Sequence, residues 1–464
     1  MHKTLLALAA LSASVSTLAV QPAAAQQMPD AEIAAAREEA LANDDIAWDF
    51  VEGITTEVGP RMAGTEDEAR GREWAMRWLK AQGFSNVRDE PFQMRTWVRG
   101  EEEAEIVAPY RQPMHVTALG NSASTGPQGM TGEVAVFPSR AALEAVPDGS
   151  LDGKIAYISH GMEPTQDGSG YGLAGPARWT GASLAEKKGA SAIVIKSIGT
   201  DHHRNPHAGG TSFEEGQDAI PAGALSIPDA ENLERMAQRA AAAGQPLMLK
   251  LTLTPRDMGM TTSGNVIAEI PGSDPDAGVA LLACHLDSWD LATGAFDDGA
   301  GCGIIAAAAK RVAAMGQPRR TIRLLFAGAE EVGVFGGDAY GAAHKGEAHA
   351  FAMESDFGAD RVWRVDTTRL GQPLADRLAA LLAPMGVTRG TQPATGGADT
   401  GAIVEAVEPT VIDLQQDGTR YFDLHHTPDD TLDKIDPAQL RQNVAAWTAT
   451  VALLANAPGA LQAD

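Results

Sequence analysis

The C-terminal half of the chain alternates short apolar runs with longer stretches of helical periodicity. The apolar runs predict strands at residues 265–270, 279–284, 321–327, 350–354 and 410–414. The periodic stretches between them predict helices at residues 300–315, 338–346 and 372–385. This alternation predicts an α/β fold in which helices flank a doubly wound mixed sheet.

Three further helices are predicted outside this alternation. One covers residues 44–58, and a second opens with the capping-box pair Thr65 and Glu68. The last has Asp436 as its N-cap and Gln439 completing a capping box, and it runs to about Asn456 with one mostly apolar face. We expect these helices to pack on the sheet.

From about residue 115 the sequence pattern changes to glycines, loops and short predicted strands. Strands are predicted at residues 132–137, 154–158, 192–195 and 223–227, with one helix at 181–188. We therefore expect a separate β-rich module inserted into the first domain. The expected division is 1–25 for a signal peptide, 26–114 and 259–464 for the two parts of the main domain, and 115–258 for the insert.

The first residues have the pattern of a secretory signal peptide. Lys3 precedes an apolar run at 5–20, and Ala23-Ala24-Ala25 supplies small residues for cleavage before Gln26. A membrane anchor is the alternative, but this run is short and broken by Ser and Thr. We expect export, to a secreted or periplasmic location, and no membrane association after signal cleavage.

Composition limits the partners of the chain. Its 464 residues include 36 basic and 61 acidic ones, and the formal charge of -25 argues against nucleic acid and anionic membranes as partners. The sequence leaves open both a monomer and a homodimer. The two cysteines, Cys284 and Cys302, are expected to be buried as small apolar side chains, although their spacing does not decide whether they pair.

Acid and imidazole side chains of the kind that bind metals follow or interrupt the predicted strands. They form five segments: His285-Leu-Asp287, Asp297-Asp298, Glu330-Glu331, Glu354-Ser-Asp356 and His425-His426-Thr427. Because the loops at strand ends gather functional groups in an α/β sheet, these segments mark the expected active site.

Each segment also has a plain structural interpretation, such as a helix cap for Asp297-Asp298 or a surface loop for His425-His426. In an extended chain Asp287 shares a face with His285 and could orient its imidazole. The neighbours Glu330 and Glu331 repel each other unless a cation or a proton intervenes. Five such segments at successive strand ends favour a metal site.

The order and spacing of these residues resemble the M28 family of dizinc exopeptidases. The match rests on His285-x-Asp287, Asp297-Asp298-x-x-Gly301, Glu330-Glu331, Glu354-Ser-Asp356 and His426-Thr-x-x-Asp430-Thr431. The insert is similar to a protease-associated domain, and residues 353–356 and 421–426 most resemble a carboxypeptidase subgroup. The resemblance implies a zinc exopeptidase type of fold.

The resemblance also implies roles for individual residues. Two Zn²⁺ per chain are expected, one bound by His285 and Asp356 and the other by Glu331 and His426. Asp297 would bridge the two ions. Glu330 would act as general base, with Asp287 as a supporting catalytic residue, and His426 fits the pattern better than His425.

The implied substrate is a short peptide, either a dipeptide or a peptide that loses its terminal residue. A broad-specificity aminopeptidase and a non-catalytic binding protein on the same fold are the alternatives. Three further sets of residues stay open: His202, His203 and His207 as another metal site or, in preference, a solvated loop or substrate rim, Asp399 in a pocket wall or a turn, and Tyr421 as an oxyanion donor or a packing residue.

Overall fold

The computed structural model describes residues 27–462. The signal peptide predicted at residues 1–25 lies outside them. Among the residues described, no helix combines the length and the apolar character needed to cross a bilayer.

Fourteen α-helices are present in the described residues. They are α1 Asp30–Asn43, α2 Ile46–Glu57, α3 Glu66–Ala81, α4 Arg140–Glu144, α5 Ser169–Ala174, α6 Pro176–Trp179, α7 Gly181–Lys187, α8 Ile227–Ala242, α9 Ala300–Ala314, α10 Phe335–His344, α11 Gln372–Leu382, α12 Gly401–Val407, α13 Tyr421–Leu424 and α14 Pro437–Asn456.

Sixteen strands accompany these helices in residues 27–462. They are β1 Ser85–Val98, β2 Glu102–Ala108, β3 Gln112–Met114, β4 Val116–Ala118, β5 Met130–Phe137, β6 Ile155–Ile158, β7 Ala192–Lys196, β8 Ala222–Leu225, β9 Met248–Leu253, β10 Arg256–Ile270, β11 Val279–His285, β12 Ile322–Ala327, β13 His349–Glu354, β14 Val362–Thr368, β15 Thr388–Arg389 and β16 Thr410–Gln416.

The first sheet has eight strands in the order β1-β10-β12-β11-β13-β16-β14-β15. Its centre is parallel, since β11 pairs in parallel with β12 and β13, and β13 pairs in parallel with β16. The pairs β1/β10, β10/β12 and β14/β16 are antiparallel. The predicted mixed α/β sheet is confirmed.

Both faces of the central strands are buried, as their near-continuous apolar sequence requires. Along β11, Ala280 and Leu282 contact the core that includes α9 and α14. Leu281 and Ala283 contact a smaller core that includes Tyr340 of α10. The first sheet is therefore the middle layer between helices on both faces.

A second eight-stranded sheet has the order β3-β2-β9-β5-β6-β7-β8-β4. Its strands β5, β6, β7 and β8 are parallel, and side chains of α7 and α8 cover its two faces. A second β-rich sheet was expected from the insert. The predicted boundary at residue 115 stays a prediction, but β2 and β3 precede it and belong to this sheet.

The predicted helical caps differ in detail from the observed ones. Thr65 accepts a hydrogen bond from the amide of Glu68, while the Glu68 carboxylate accepts from Gly64 rather than Thr65. Asp436 caps α14 through the amides of Ala438 and Gln439. The Gln439 side chain accepts a hydrogen bond from Arg361.

The last helix, α14, is buried on all sides rather than on one face. Every residue from 442 to 455 is buried. The helix lies against both α1 and α9, so the expected amphipathic pattern is wrong. Its small residues, Ala and Thr, permit this close packing on several sides.

The two cysteines are buried, as expected, but they are not independent apolar side chains. Cys284 on β11 and Cys302 on α9 form a disulfide, with their Cα atoms 5.2 Å apart. The strand and the helix bring together residues that are 18 positions apart in sequence. The disulfide therefore ties the end of β11 to the helix that follows it.

Removing this disulfide should destabilise the protein. Cys284→Ala combined with Cys302→Ala should lower the free energy of unfolding by about 3 kcal/mol, because the crosslink restricts a loop of this length in the unfolded chain. Urea denaturation of both proteins measures the difference. A thiol reagent that labels the unreduced, urea-unfolded wild-type chain would contradict the pairing.

Candidate metal centre

The ends of three neighbouring parallel strands carry most of the predicted site. His285 ends β11, Glu330 and Glu331 follow β12, and Asp356 follows β13. Because the three strands are parallel neighbours, their C-terminal ends meet at one edge of the sheet. His426 reaches the same place from the segment after α13.

Asp297 lies between the two imidazoles. Its Oδ1 atom is 3.1 Å from Nε2 of His285, and its Oδ2 atom is 3.4 Å from Nε2 of His426. Asp430 fixes this position by accepting hydrogen bonds from the backbone amides of Phe296 and Asp297. One carboxylate therefore faces both halves of the cluster.

Two groups of donor atoms share Asp297. In the first group, His285 Nε2 is also 3.4 Å from Oδ1 of Asp356. In the second, His426 Nε2 is 2.7 Å from Oε2 of Glu331. Within each group the donor atoms lie within 4.8 Å of one another. The structure thus brings together all five residues that the sequence predicted as ligands.

The neighbouring residues Asp297 and Asp298 have different roles. Asp298 accepts hydrogen bonds from the backbone amides of His285 and Gly301, the second of which opens α9. This is the helix-cap role expected as the alternative. Asp297 turns away from the helix toward the imidazoles.

Asp287 does not orient His285 through its carboxylate. The Nδ1 atom of His285 is 3.0 Å from the backbone oxygen of Asp287 and 3.8 Å from its carboxylate. The carboxylate accepts instead from the amides of Glu330 and Glu331. The expected contact is therefore made by the backbone, and the side chain holds the two glutamates in place.

Arg61 anchors the loop after β11, a role that the sequence analysis missed. Its side chain is fully buried and donates to the carbonyl oxygens of Leu286, Thr293 and Gly294. Burial lowers its pKa, against the opposing effect of Asp430 and other nearby carboxylates. No periodicity or motif in the sequence marks an arginine that binds backbone carbonyls.

Two carboxyl groups of the cluster, those of Glu331 and Asp356, hold their protons more tightly than usual. Burial, followed by the charge of Asp297, raises the pKa of Glu331 well above its ordinary value. Burial also raises the pKa of Asp356. Carboxylates buried this close together ionise only when positive charge is near. Such a cluster is chemically suited to cations.

The two predicted imidazole ligands differ in their charge preference. Burial opposes the charged form of His285, but Asp356 and Asp297 raise its pKa well above the ordinary value. The pKa of His426 is well below the ordinary value because of burial and then the charge of Arg178. A neutral imidazole is the form that binds a metal.

The donor set fits zinc. Imidazole nitrogens and carboxylate oxygens are its usual ligands, and bonds of about 2.0–2.1 Å in a tetrahedron place donor atoms about 3.3 Å apart. The pairs in the two groups are separated by 2.7–3.4 Å. Cys284 and Cys302 also lie beside Asp298, but their sulfur atoms are bonded to each other.

The remaining histidines singled out in the sequence differ in burial and in distance from the cluster. His202 is exposed and His203 is partly buried, whereas His207 is buried against His425 and His426. The solvated-loop interpretation is therefore wrong for His207. His425 lies farther from Asp297 than His426 does, at 3.9 Å.

Tyr421 contacts the cluster, whereas Asp399 does not line the cavity beside it. The hydroxyl of Tyr421 donates to Oδ1 of Asp297 at 3.2 Å, and its ring stacks on Phe357. Asp399 is fully buried, and burial together with Glu354 raises its pKa well above the ordinary value. Asp399 does not line the cavity at the cluster.

The cluster opens into a cavity of about 400 Å³, called the cleft below. Residues that follow strands of the first sheet and residues of the insert line it. Asp297, Glu330, Glu331, Asp356, His425 and His426 form one wall, and the insert contributes Tyr171, Arg178, Trp179, Gly210, Thr211 and Ser212. The second sheet therefore completes the site rather than standing apart from it.

Comparisons with known proteins agree with this geometry. The model of peptidase family M28 matches residues 265–451. Carboxypeptidase Q from Bos taurus is 33% identical over 84% of this chain and 81% of its own length. Carboxypeptidase Q from Homo sapiens is 32% identical, over 84% and 81% respectively.

Solved structures give the same result. The crystal structure of a peptidase M28 precursor from Shewanella amazonensis has a TM-score of 0.88 and 40% identity, and the match covers 94% of this chain and 98% of that chain. A zinc aminopeptidase from Bacillus subtilis has a TM-score of 0.61 at 20% identity, covering 88% and 93%. The second likeness shows a shared fold alone.

Replacing Arg61 should loosen the loop that holds the cluster. We expect Arg61→Met to lower the free energy of unfolding by about 3–5 kcal/mol, because buried carbonyl groups lose a charged donor. The surface variant Arg70→Met should change it by less than about 0.5 kcal/mol. Thermal and urea unfolding compare the two, and equal stabilities would rule out the anchoring role.

Proposed function

Because the chain belongs to peptidase family M28 and is a zinc metallo-exopeptidase similar to carboxypeptidase Q, we propose that it hydrolyses dipeptides or removes terminal residues from short peptides. The observation that carries this proposal is the pair of donor groups that share Asp297. Because the chain is an enzyme of this class, the alternative of a non-catalytic binding protein has no support.

We propose that the two groups hold two zinc ions per chain. His285 and Asp356 would bind one ion, Glu331 and His426 the other, and Asp297 would contact both. Zinc bound by these donors supplies Lewis-acid activation of a water molecule and of the scissile carbonyl. The shared carboxylate supports a pair of sites rather than two independent ones.

Glu330 is the proposed general base. It borders the cleft beside Glu331, and its backbone amide is held by the Asp287 carboxylate. Burial, opposed by His285 and reinforced by Asp356 and Asp287, raises its pKa to about 8. A carboxylate at this position can take a proton from the attacking water and later give it to the leaving amine.

Asp287 has a supporting part in this scheme. Its two oxygens accept from consecutive amides, so it fixes the backbone that carries Glu330 and Glu331. The base and the neighbouring ligand therefore keep a fixed relation. Because Asp287 is fully buried, it does not reach the substrate.

We also propose that the enzyme is exported. The support is the signal-like pattern of Lys3, the apolar run at residues 5–20 and Ala23-Ala24-Ala25. The disulfide Cys284–Cys302 suits an oxidising compartment. N-terminal sequencing of the protein recovered from culture medium or periplasm tests this proposal.

Loss of the base should remove turnover but leave zinc in place. Glu330→Gln should lower kcat by more than about 100-fold on a dipeptide such as alanyl-leucine, because general base catalysis contributes about 10²–10⁴-fold. Zinc content, measured by mass spectrometry, should equal that of the wild type. Glu52→Gln, a surface control, should keep full activity, and near-normal turnover in Glu330→Gln would exclude the assignment.

Removing Asp297, which the two donor groups share, should lower the zinc content more than removing a ligand that belongs to one group. After gel filtration, Asp297→Ala should retain less than about one zinc per chain, because both groups lose a donor. Asp356→Ala, which changes one group, should retain about one. Metal analysis of the two variants beside the wild type makes the comparison, and an Asp297→Ala protein with two zinc ions would contradict the bridging role.

A further inference from the structure

Arg178 of α6 is a buried arginine without an acidic partner. Its Nη1 atom lies 3.0 Å from Nε2 of His207 and 2.9 Å from Nδ1 of His426, and its Nε atom has no hydrogen-bond partner. Within residues 27–462 no carboxylate forms an ion pair with it. A buried guanidinium normally pairs with an anion, so this charge is unmatched.

The surroundings of Arg178 hold it at the wall of the cleft. Its guanidinium lies 5.5 Å from the ring centre of Tyr171 and 6.0 Å from that of Trp179. A Cβ atom at residue 209 would come within 2.1 Å of Nη1. The absence of a side chain at Gly209 therefore leaves room for the guanidinium. Among the described residues that line the cleft, Arg178 is the one Arg or Lys.

Its hydrogen bond to His426 would change when that imidazole binds zinc. A guanidinium only donates hydrogen bonds, so Nδ1 of His426 must accept from it and the ring proton must lie on Nε2. When Nε2 binds a metal, the proton moves to Nδ1, where it faces a second donor. Arg178 then keeps His207 and the carbonyl oxygen of Ala208 as acceptors, and its remaining donors are available to a ligand in the cleft that it lines.

We propose that Arg178 binds the free α-carboxylate of the substrate's C-terminal residue and thereby makes the enzyme select a free carboxyl end. This inference rests on the proposed exopeptidase function and names the substrate class of the same site. Arginine matches a carboxylate with two parallel hydrogen bonds, which gives both affinity and orientation.

Arg178 lies near enough to the donor groups to meet a carboxylate one residue after the scissile bond. In a dipeptide the scissile carbonyl carbon and the terminal carboxylate carbon are three bonds apart, which is about 3–4 Å. Arg178 is separated from the donor groups by the single imidazole ring of His426. A longer C-terminal extension would place its carboxylate beyond this guanidinium.

Alanyl-leucine and alanyl-leucinamide test this proposal because they differ only at the carboxyl end. With the zinc-loaded wild type, kcat/KM should be at least about 100-fold higher for alanyl-leucine. Arg178→Met should lower this preference to less than about 3-fold by losing activity on the free dipeptide, while Arg178→Lys should keep part of it. Arg111→Met, an exposed arginine of the insert region, should behave as wild type.

Two further measurements separate selectivity from a structural role. Zinc content should be equal in the wild type and Arg178→Met, and calorimetry should show that leucine binds the wild type at least about 10-fold more tightly than Arg178→Met. Leucinamide should not distinguish the two proteins. Equal losses on both dipeptides, or a loss of zinc, would overturn the proposal in favour of a role in orienting His426.

The outcomes also distinguish this proposal from the function on which it rests. If the wild type cleaves both dipeptides equally well, carboxylate selection by Arg178 is wrong and the exopeptidase function stands. If the zinc-loaded wild type cleaves neither, the proposed function fails. In that case the calorimetric comparison of leucine with leucinamide still decides whether Arg178 binds a carboxylate.

Discussion

Repulsion among buried carboxylates is the constraint on which the rest of this site depends. Glu331 and Asp356 are placed around Asp297, and burial raises the pKa of both. Such a set is stable in its ionised form only beside positive charge, which two zinc ions would supply. The position of Asp297 between two imidazoles sets where that charge must lie.

Buried strands, hydrogen bonds and a disulfide hold the carboxylates and imidazoles of the site in place. Parallel strands buried on both faces deliver His285 and the glutamates to one edge. Arg61, Asp430 and the disulfide Cys284–Cys302 then fix the loop that carries Asp297. The insert adds the positive charge of Arg178 beside His426, so the cleft combines a cation site with a place for an anion.

The sequence predicted the parts of the site that follow local rules. Strand periodicity located the acid and imidazole segments, and the capping alternative for Asp297-Asp298 correctly described Asp298. Arg61, Arg178 and His207 could not be predicted in the same way, because their roles come from contacts between distant segments. The pairing of Cys284 with Cys302 depended on how β11 and α9 cross, which spacing alone does not specify.

X-ray diffraction from crystals of the zinc-loaded protein, collected on both sides of the zinc absorption edge, tests whether Asp297 lies between two zinc ions. Two anomalous peaks per chain are expected, one at His285 and Asp356 and the other at Glu331 and His426, with Asp297 in contact with both. A single peak, or a peak centred on His207 and His425, would contradict it.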